Sequence, residues 1–247
     1  MMTKPILFFD SGIGGITTLY TCCHLVPNQQ YLYFADESNM PYGNKPKKLL
    51  ARSINTTISG LINIYNPSVV VLACNTATAV SVGHLRSKFK NTIFIGTEPA
   101  VVPALKRYKK VLLLATQNTV KYSKIINLVK QHYTIDILCA KELALFIDNN
   151  FKNPQIVKEY LSKLLLPYKN KVDCVVLGCT HYVFFKEYIK QILKVEVLDG
   201  NYGVANRLKE LVSFFKIAAC DKSIRFLNKG KLYNRLVCAY LSLGGKK

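Results

Sequence analysis

Short runs of consecutive apolar residues alternate along this chain with stretches whose apolar positions recur every third or fourth residue. ILFF at 6–9, YLYFA at 31–35, VVVLA at 69–73, TIFI at 92–95 and VLLLA at 111–115 read as strands. IDIL at 135–138, VVLG at 175–178 and VEVL at 195–198 read the same way. Helical spacing predicts helices around 14–25, across 47–65, near 119–132, across 154–166 and near 183–193. The clearest is 47–65, where Leu50, Ile54, Ile58, Leu61, Ile62 and Tyr65 share one face. Alternation of strand and helix predicts an α/β protein with mainly parallel sheets. In such sheets the loops at the carboxyl ends of strands build the site.

The pattern repeats. VVLACNT at 70–76 resembles VVLGCTH at 175–181, and ILFFDSGIG at 6–14 resembles VLLLATQNT at 111–119. Ser11 and Cys74 are 63 positions apart, as are Thr116 and Cys179. Two matches at equal separation predict two similar, pseudo-symmetric halves, each ending a strand in a cysteine. Facing each other, they would line one cleft from opposite sides.

Composition narrows the class. The 247 residues suffice for one large or two medium domains, and half of them are apolar. No apolar run approaches the ~20 residues of a membrane span. MMTKPILFFDSG lacks the long apolar stretch and small-residue cleavage site of a secretory signal, so a cytoplasmic location is expected. Eight cysteines without a CxxC pair argue against structural zinc and thioredoxin-type chemistry, and for free thiols. The net charge of +20 raises the question of a nucleic-acid partner. Lysines cluster at Lys45, Lys47 and Lys48 and between Lys106 and Lys110, without an aromatic reading motif, so nucleic acid is not the expected partner.

A lone cysteine after a strand is usually a small buried hydrophobe. Cys74 and Cys179 differ, because polar residues follow each: Asn75 and Thr76, Thr180 and His181. Cys22, Cys23, Cys139, Cys174, Cys220 and Cys238 lack that context and are expected to be structural. Two thiols across a ligand suit inversion of a carbon beside a carboxylate: one removes a proton from one face, the other returns one to the opposite face. DSGIGG at 10–15 places Asp10 and Ser11 at a strand end, before a helix that offers N–H groups to an anion. It is neither a GxGxxG fingerprint nor a Walker loop, so no nucleotide is implied. MPYGNK at 40–45 is a turn presenting Tyr42 and Gly43, and Thr116 and Thr119 can add hydroxyls from the second half. His24, His84 and His132 fall on predicted helices, whereas His181 follows Cys179 by two residues. A Cys-His hydrolase is a rival reading of that last pair, but it leaves Cys74 and the repeat unexplained.

DSGIGG, ADESNMPYG, LACNTA, GTEPAVVPA, LATQNTV and LGCTHY together closely resemble the glutamate racemases of the cofactor-independent aspartate/glutamate racemase superfamily, in the correct order over almost the whole chain. The resemblance implies two α/β domains, 1–96 plus 206–247 and 97–205, with the active site in the cleft between them. It implies interconversion of L- and D-glutamate for peptidoglycan, no pyridoxal phosphate, no metal, and a homodimer; no membrane partner is expected from the apolar runs above. It makes Cys74 and Cys179 the proton donors and acceptors, and Asp10, Ser11, Tyr42, Gly43, Asn75, Thr76, Thr180 and His181 the substrate contacts. An acidic residue in the second domain often supports the second thiol; Asp148 is the closest match, where the family more often has Glu. Val183 and Ala35 also depart from the family pattern, and both affect loop geometry rather than reacting groups. A sister racemase of aspartate, or a basic nucleic-acid-associated protein retaining the fold, is the alternative.

Overall fold

In the computed structural model, residues 4–131, 133–217 and 223–245 are described. Among them the chain forms two fully parallel sheets. The first contains β1 (Ile6–Asp10), β2 (Gln30–Ala35), β3 (Val69–Leu72), β4 (Ile93–Gly96) and, from the end of the chain, β9 (Ser223–Phe226), in the order β4-β3-β1-β2-β9. The second contains β5 (Val111–Ala115), β6 (Asp136–Cys139), β7 (Cys174–Gly178) and β8 (Glu196–Leu198), in the order β6-β5-β7-β8. The shared order is the structural form of the sequence repeat: β1 and β3 are neighbours in one sheet, and β5 and β7 in the other.

Helices cover both faces of a parallel sheet, so its strands are apolar throughout rather than alternating. Accordingly β1, β3, β5 and β7 are buried at every residue. Each large aliphatic side chain taken from water there contributes roughly 1.5–3 kcal/mol. Lys47–Tyr65 lays the predicted Leu50, Ile54, Ile58 and Leu61 stripe onto the first sheet. Asn201–Phe214 packs against Ile16–Leu25, which returns the chain to the layers of the first sheet before β9.

The structure departs from the predicted elements in places. The helix expected near 119–132 is two, Gln117–Tyr122 and Lys124–Lys130, because Ser123 adopts extended backbone and its hydroxyl caps the Ile126 N–H. The helix near 183–193 begins as a tight turn over Thr180–Phe185 and becomes regular at Lys186–Leu193. Asn75–Lys88 and Gly230–Ser242 are helices that periodicity did not reveal. Cys22, Cys23 and Cys174 are buried, Cys139 and Cys238 are exposed, and Cys220 and His132 lie outside the described residues. His24 and His84 are exposed, His24 resting its Nδ1 3.0 Å from the Tyr20 carbonyl.

Candidate functional site

The order in which strands are added reverses between β1 and β3 and again between β5 and β7, the positions where parallel sheets open a crevice at their carboxyl ends. Asp10 ends β1, and Cys74 follows β3 as the residue capping Asn75–Lys88. Thr116 follows β5, and Cys179 follows β7. The repeat therefore puts its polar residues at equivalent points of two sheets.

The two ends meet. The Thr180 hydroxyl donates to Asp10 Oδ2 at 3.1 Å. The Thr76 hydroxyl lies 2.9 Å from that of Thr116 and 3.0 Å from that of Thr119. Asn118 Nδ2 donates to the carbonyls of Tyr42 and Lys45 at 2.8 Å each, and its N–H donates to the Gly43 carbonyl. The DSGIGG loop lies close enough to the second sheet that glycine is needed. A Cβ on Gly14 would sit 2.4 Å from Thr180 Oγ1 and 2.5 Å from His181 Nδ1.

Around Cys74 the chemistry is anionic. Ser11 Oγ is 3.9 Å from the Cys74 sulfur. Burial pushes the Cys74 thiol up, the Asp10 carboxylate pushes it the same way, and the Cys179 thiol adds to this, so the two sulfurs are within electrostatic range. Asp10 is raised as well by burial, opposed by the positive charge of His181 and by the Gly12 N–H, which donates at 2.8 Å. Asn75 Nδ2 donates to the Thr97 carbonyl at 3.2 Å.

Around Cys179 the chemistry is cationic. His181 Nδ1 is 4.0 Å from the Cys179 sulfur, and Nε2 is 3.1 Å from Asp148 Oδ1. Burial alone would strip the proton from His181. The hydrogen bond to Asp148 overcomes it, followed by that to Cys179, and holds the imidazolium up to about 10. Burial likewise opposes the Asp148 charge, yet His181 and then Arg235 hold its carboxyl down at about 2. Asp148 also accepts the Ile13 N–H at 3.3 Å, which ties it to the DSGIGG loop.

The site residues singled out from sequence, Asp10, Ser11, Tyr42, Gly43, Cys74, Asn75, Thr76, Thr116, Thr119, Asp148, Cys179, Thr180 and His181, are all buried; most lie at or just beyond the facing strand ends, and Asp148 comes from the helix Leu143–Asn149. Sequence reasoning missed Asp36, which takes the Tyr42 hydroxyl at 2.5 Å and the Asn39 amide at 3.0 Å, so fixing the turn. It also missed Asn118 and Arg235. Asp36 and Asn118 stood inside the quoted ADESNMPYG and LATQNTV stretches; Arg235 carried no local signal.

Two buried thiols, one beside a carboxylate and one beside an imidazolium, can move protons to and from two faces of one carbon. Among the described residues no cluster of three or more His, Cys, Asp or Glu is placed to hold a metal, and no helix is long and apolar enough to cross a membrane.

Comparison with known proteins gives the family. The chain is 36% identical to the glutamate racemase of Halothermothrix orenii over 246 residues, covering 95% of this chain and 96% of that protein. It is 38% identical to glutamate racemase 2 of Bacillus subtilis over 235 residues, covering 90% and 88%. Escherichia coli glutamate racemase, solved with L-glutamate and the activator UDP-MurNAc-Ala, superposes with a TM-score of 0.83 at 28% identity, covering 98% of this chain and 96% of that one. A Picrophilus torridus aspartate racemase shares the fold, with a TM-score of 0.58 at 19% identity. Residues 28–207 match the family described as Asp/Glu/Hydantoin racemase, and the chain belongs to that family.

Proposed function

We propose that the protein interconverts L- and D-glutamate with Cys74 and Cys179 as the two acid/base groups. The observation that carries the reading is the pair of strand-end thiols at equivalent points of two sheets, each with its own proton partner. Glutamate is favoured over aspartate by the identity to glutamate racemases along nearly the full chain.

The substrate lies between the sulfurs, its carboxylates and amino group held by Asp10, Ser11, Tyr42, Gly43, Asn75, Thr76, Thr180 and His181, with Thr116 and Thr119 bracing Thr76. In one direction the Cys179 thiolate takes the Cα proton and becomes a thiol. The electron pair stays on Cα as a carbanion stabilised into the adjacent carboxylate. The Cys74 thiol then gives its proton to the opposite face and becomes a thiolate. The reverse reaction exchanges the roles. Charged His181 presents an N–H toward the Cys179 sulfur, the partner that a thiolate accepts. Asp10, with its raised proton affinity, is the group beside Cys74 that can accept a proton when that thiol must act as base.

The proposed setting is cytoplasmic, supported by seven described cysteines that are all free. The proposed use of the product is peptidoglycan synthesis, and the proposed assembly is a homodimer. The proposed domain division is 1–96 plus 206–247 and 97–205; the packing of Asn201–Phe214 on Ile16–Leu25 favours moving the return point to about residue 200. The test is incubation with L-glutamate and, separately, L-aspartate, without added pyridoxal phosphate or metal, followed by chiral analysis. D-glutamate should form, and D-aspartate should form far more slowly. Failure to form D-glutamate would overturn the reading.

A further inference from the structure

Arg235 lies 56 positions beyond Cys179, on the helix Gly230–Ser242 that packs with the first sheet's layers, yet its guanidinium reaches the second thiol's support. Its Nη2 donates to Asp148 Oδ2 and, at 2.8 Å, to the Asp148 carbonyl. Its Nη1 donates to Glu37, in the short turn Glu37–Asn39 after β2. Asp148 is 3% exposed, and its other oxygen is already taken by His181 and the Ile13 N–H. Among the described residues the guanidinium therefore supplies the only side-chain donor to Oδ2, from a fork that a flexible ammonium cannot copy. A chain of contacts runs Glu37, Arg235, Asp148, His181, Cys179, crossing from the first sheet's side to the second.

We infer that Arg235 is a positioning residue for racemisation: by fixing the Asp148 carboxylate from the opposite domain, it aims His181 at the Cys179 sulfur. It rests on the two-thiol reading above. No hydrogen bond or ion pair joins Arg235 to either thiol among the described residues, so its effect on Cys179 passes through Asp148 and His181. It also makes the Cys179 side complete only when the C-terminal helix is docked against the second domain.

The consequence is directional. Weakening the Cys179 side raises the barrier for proton transfer at one face of the carbon and leaves the other face alone. Because enantiomers have equal free energies, kcat/KM must fall equally for both. The primary isotope effects of Cα-deuterated substrates are free to diverge. For the enantiomer that Cys179 deprotonates, carbon–deuterium cleavage becomes more rate-limiting and the effect grows. For the other, reprotonation by Cys179 becomes limiting and the effect shrinks. A loss of packing would move both in the same direction.

The test measures kcat and both isotope effects for the full-length parent, Arg235→Gln and Arg235→Lys, with circular dichroism and thermal melting to establish folding. Cys74→Ala, left with Cys179 alone, identifies the enantiomer that Cys179 deprotonates, as the one into which it washes solvent deuterium. Arg235→Gln should lower kcat by about tenfold or more, a fraction of what acid/base groups supply, with the isotope effects diverging as stated. Arg235→Lys should recover part of the rate by restoring the cation without the fork. Unchanged kcat in a folded Arg235→Gln, or isotope effects that move together, would overturn the inference. Should Arg235→Gln fail to fold, Glu37→Gln loosens only the outer hold on the guanidinium; a smaller divergence of the same sign supports the inference, and none overturns it. A parent that does not racemise glutamate would instead refute the underlying reading.

Discussion

The two thiol sites occupy the same position in sheets of the same strand order, yet their surroundings have opposite charge. Cys74 sits under Asp10 and Ser11, where burial and a carboxylate both favour the protonated sulfur. Cys179 sits beside an imidazolium pinned by Asp148, which Arg235 in turn holds. Duplication supplies symmetric positions, while a racemase requires asymmetric protonation: at any moment one sulfur must carry a proton and the other must not. On the proposed two-thiol reading, the difference between the halves supplies that asymmetry without changing the reacting group. It also explains why the DSGIGG loop carries glycines where it faces His181, since that loop must approach both sites at once.

The largest expected effect comes from removing either end of the pair. Cys74→Ala and Cys179→Ala should each lower racemisation by at least about 10³-fold, in the range of general acid/base contributions. The double variant should lose little more, because the thiols work as a unit. Chiral chromatography over long incubations measures all three, and a single variant with substantial activity would break the symmetry of roles.

Smaller losses should separate the two surroundings. Asp10→Asn and His181→Asn should each cost about 10²-fold in kcat. The substrate isotope effect should rise for one enantiomer in Asp10→Asn and for the other in His181→Asn. The same enantiomer responding to both would mean that the two groups serve one thiol.

Stability against pH sharpens the contrast further. The Asp148 carboxyl is held at about 2 in the folded protein, so its contribution is present above the ordinary carboxylate value and is lost as pH falls toward 2. The His181 imidazolium is held at about 10, so its contribution is complete below the ordinary histidine value and is lost as pH rises through 10. The charged groups that face this pair are Arg235 and Asp10. The melting-temperature gap between the parent and Asp148→Asn should be widest between about pH 4 and 6.5 and narrow on either side. A gap independent of pH would show that the pair is not ionic.

The smallest effect should come from the excess positive charge. Lys47, Lys48, Lys109 and Lys110 are exposed and outside the thiol surroundings. Changing all four to glutamine should leave kcat nearly unchanged and weaken substrate capture modestly, mainly at low salt. A large kcat loss with an intact fold would extend the site to the lysine-bearing surface.

Much of this was legible in the sequence, for physical reasons that also explain the gaps. Parallel strands buried on both faces leave uninterrupted apolar runs, as in β1, β3, β5 and β7, and the interrupted runs IDIL and VEVL became the more exposed β6 and β8. The helix Asn75–Lys88 left no periodic stripe because its buried positions include the polar residues Asn75, Thr76, Thr78 and Ser81. β9 is a four-residue edge strand with two exposed positions, too short to stand out. The two thiols were marked by the repeat, whereas Asp148 entered only through family resemblance. Arg235 was invisible, being one cation among many on an amphipathic helix, 87 positions from the carboxylate it binds.

The central claim is that two different sulfurs serve the two faces of one carbon. It is tested most directly by racemisation in heavy water, with each enantiomer as starting material. A thiol exchanges its proton with solvent more readily than Cα does, so the inverted product should carry deuterium at Cα from its first appearance. The recovered starting enantiomer should stay largely undeuterated at early times. Early deuterium in the starting enantiomer, appearing as fast as in the product, would mean that one base serves both faces and would contradict the account.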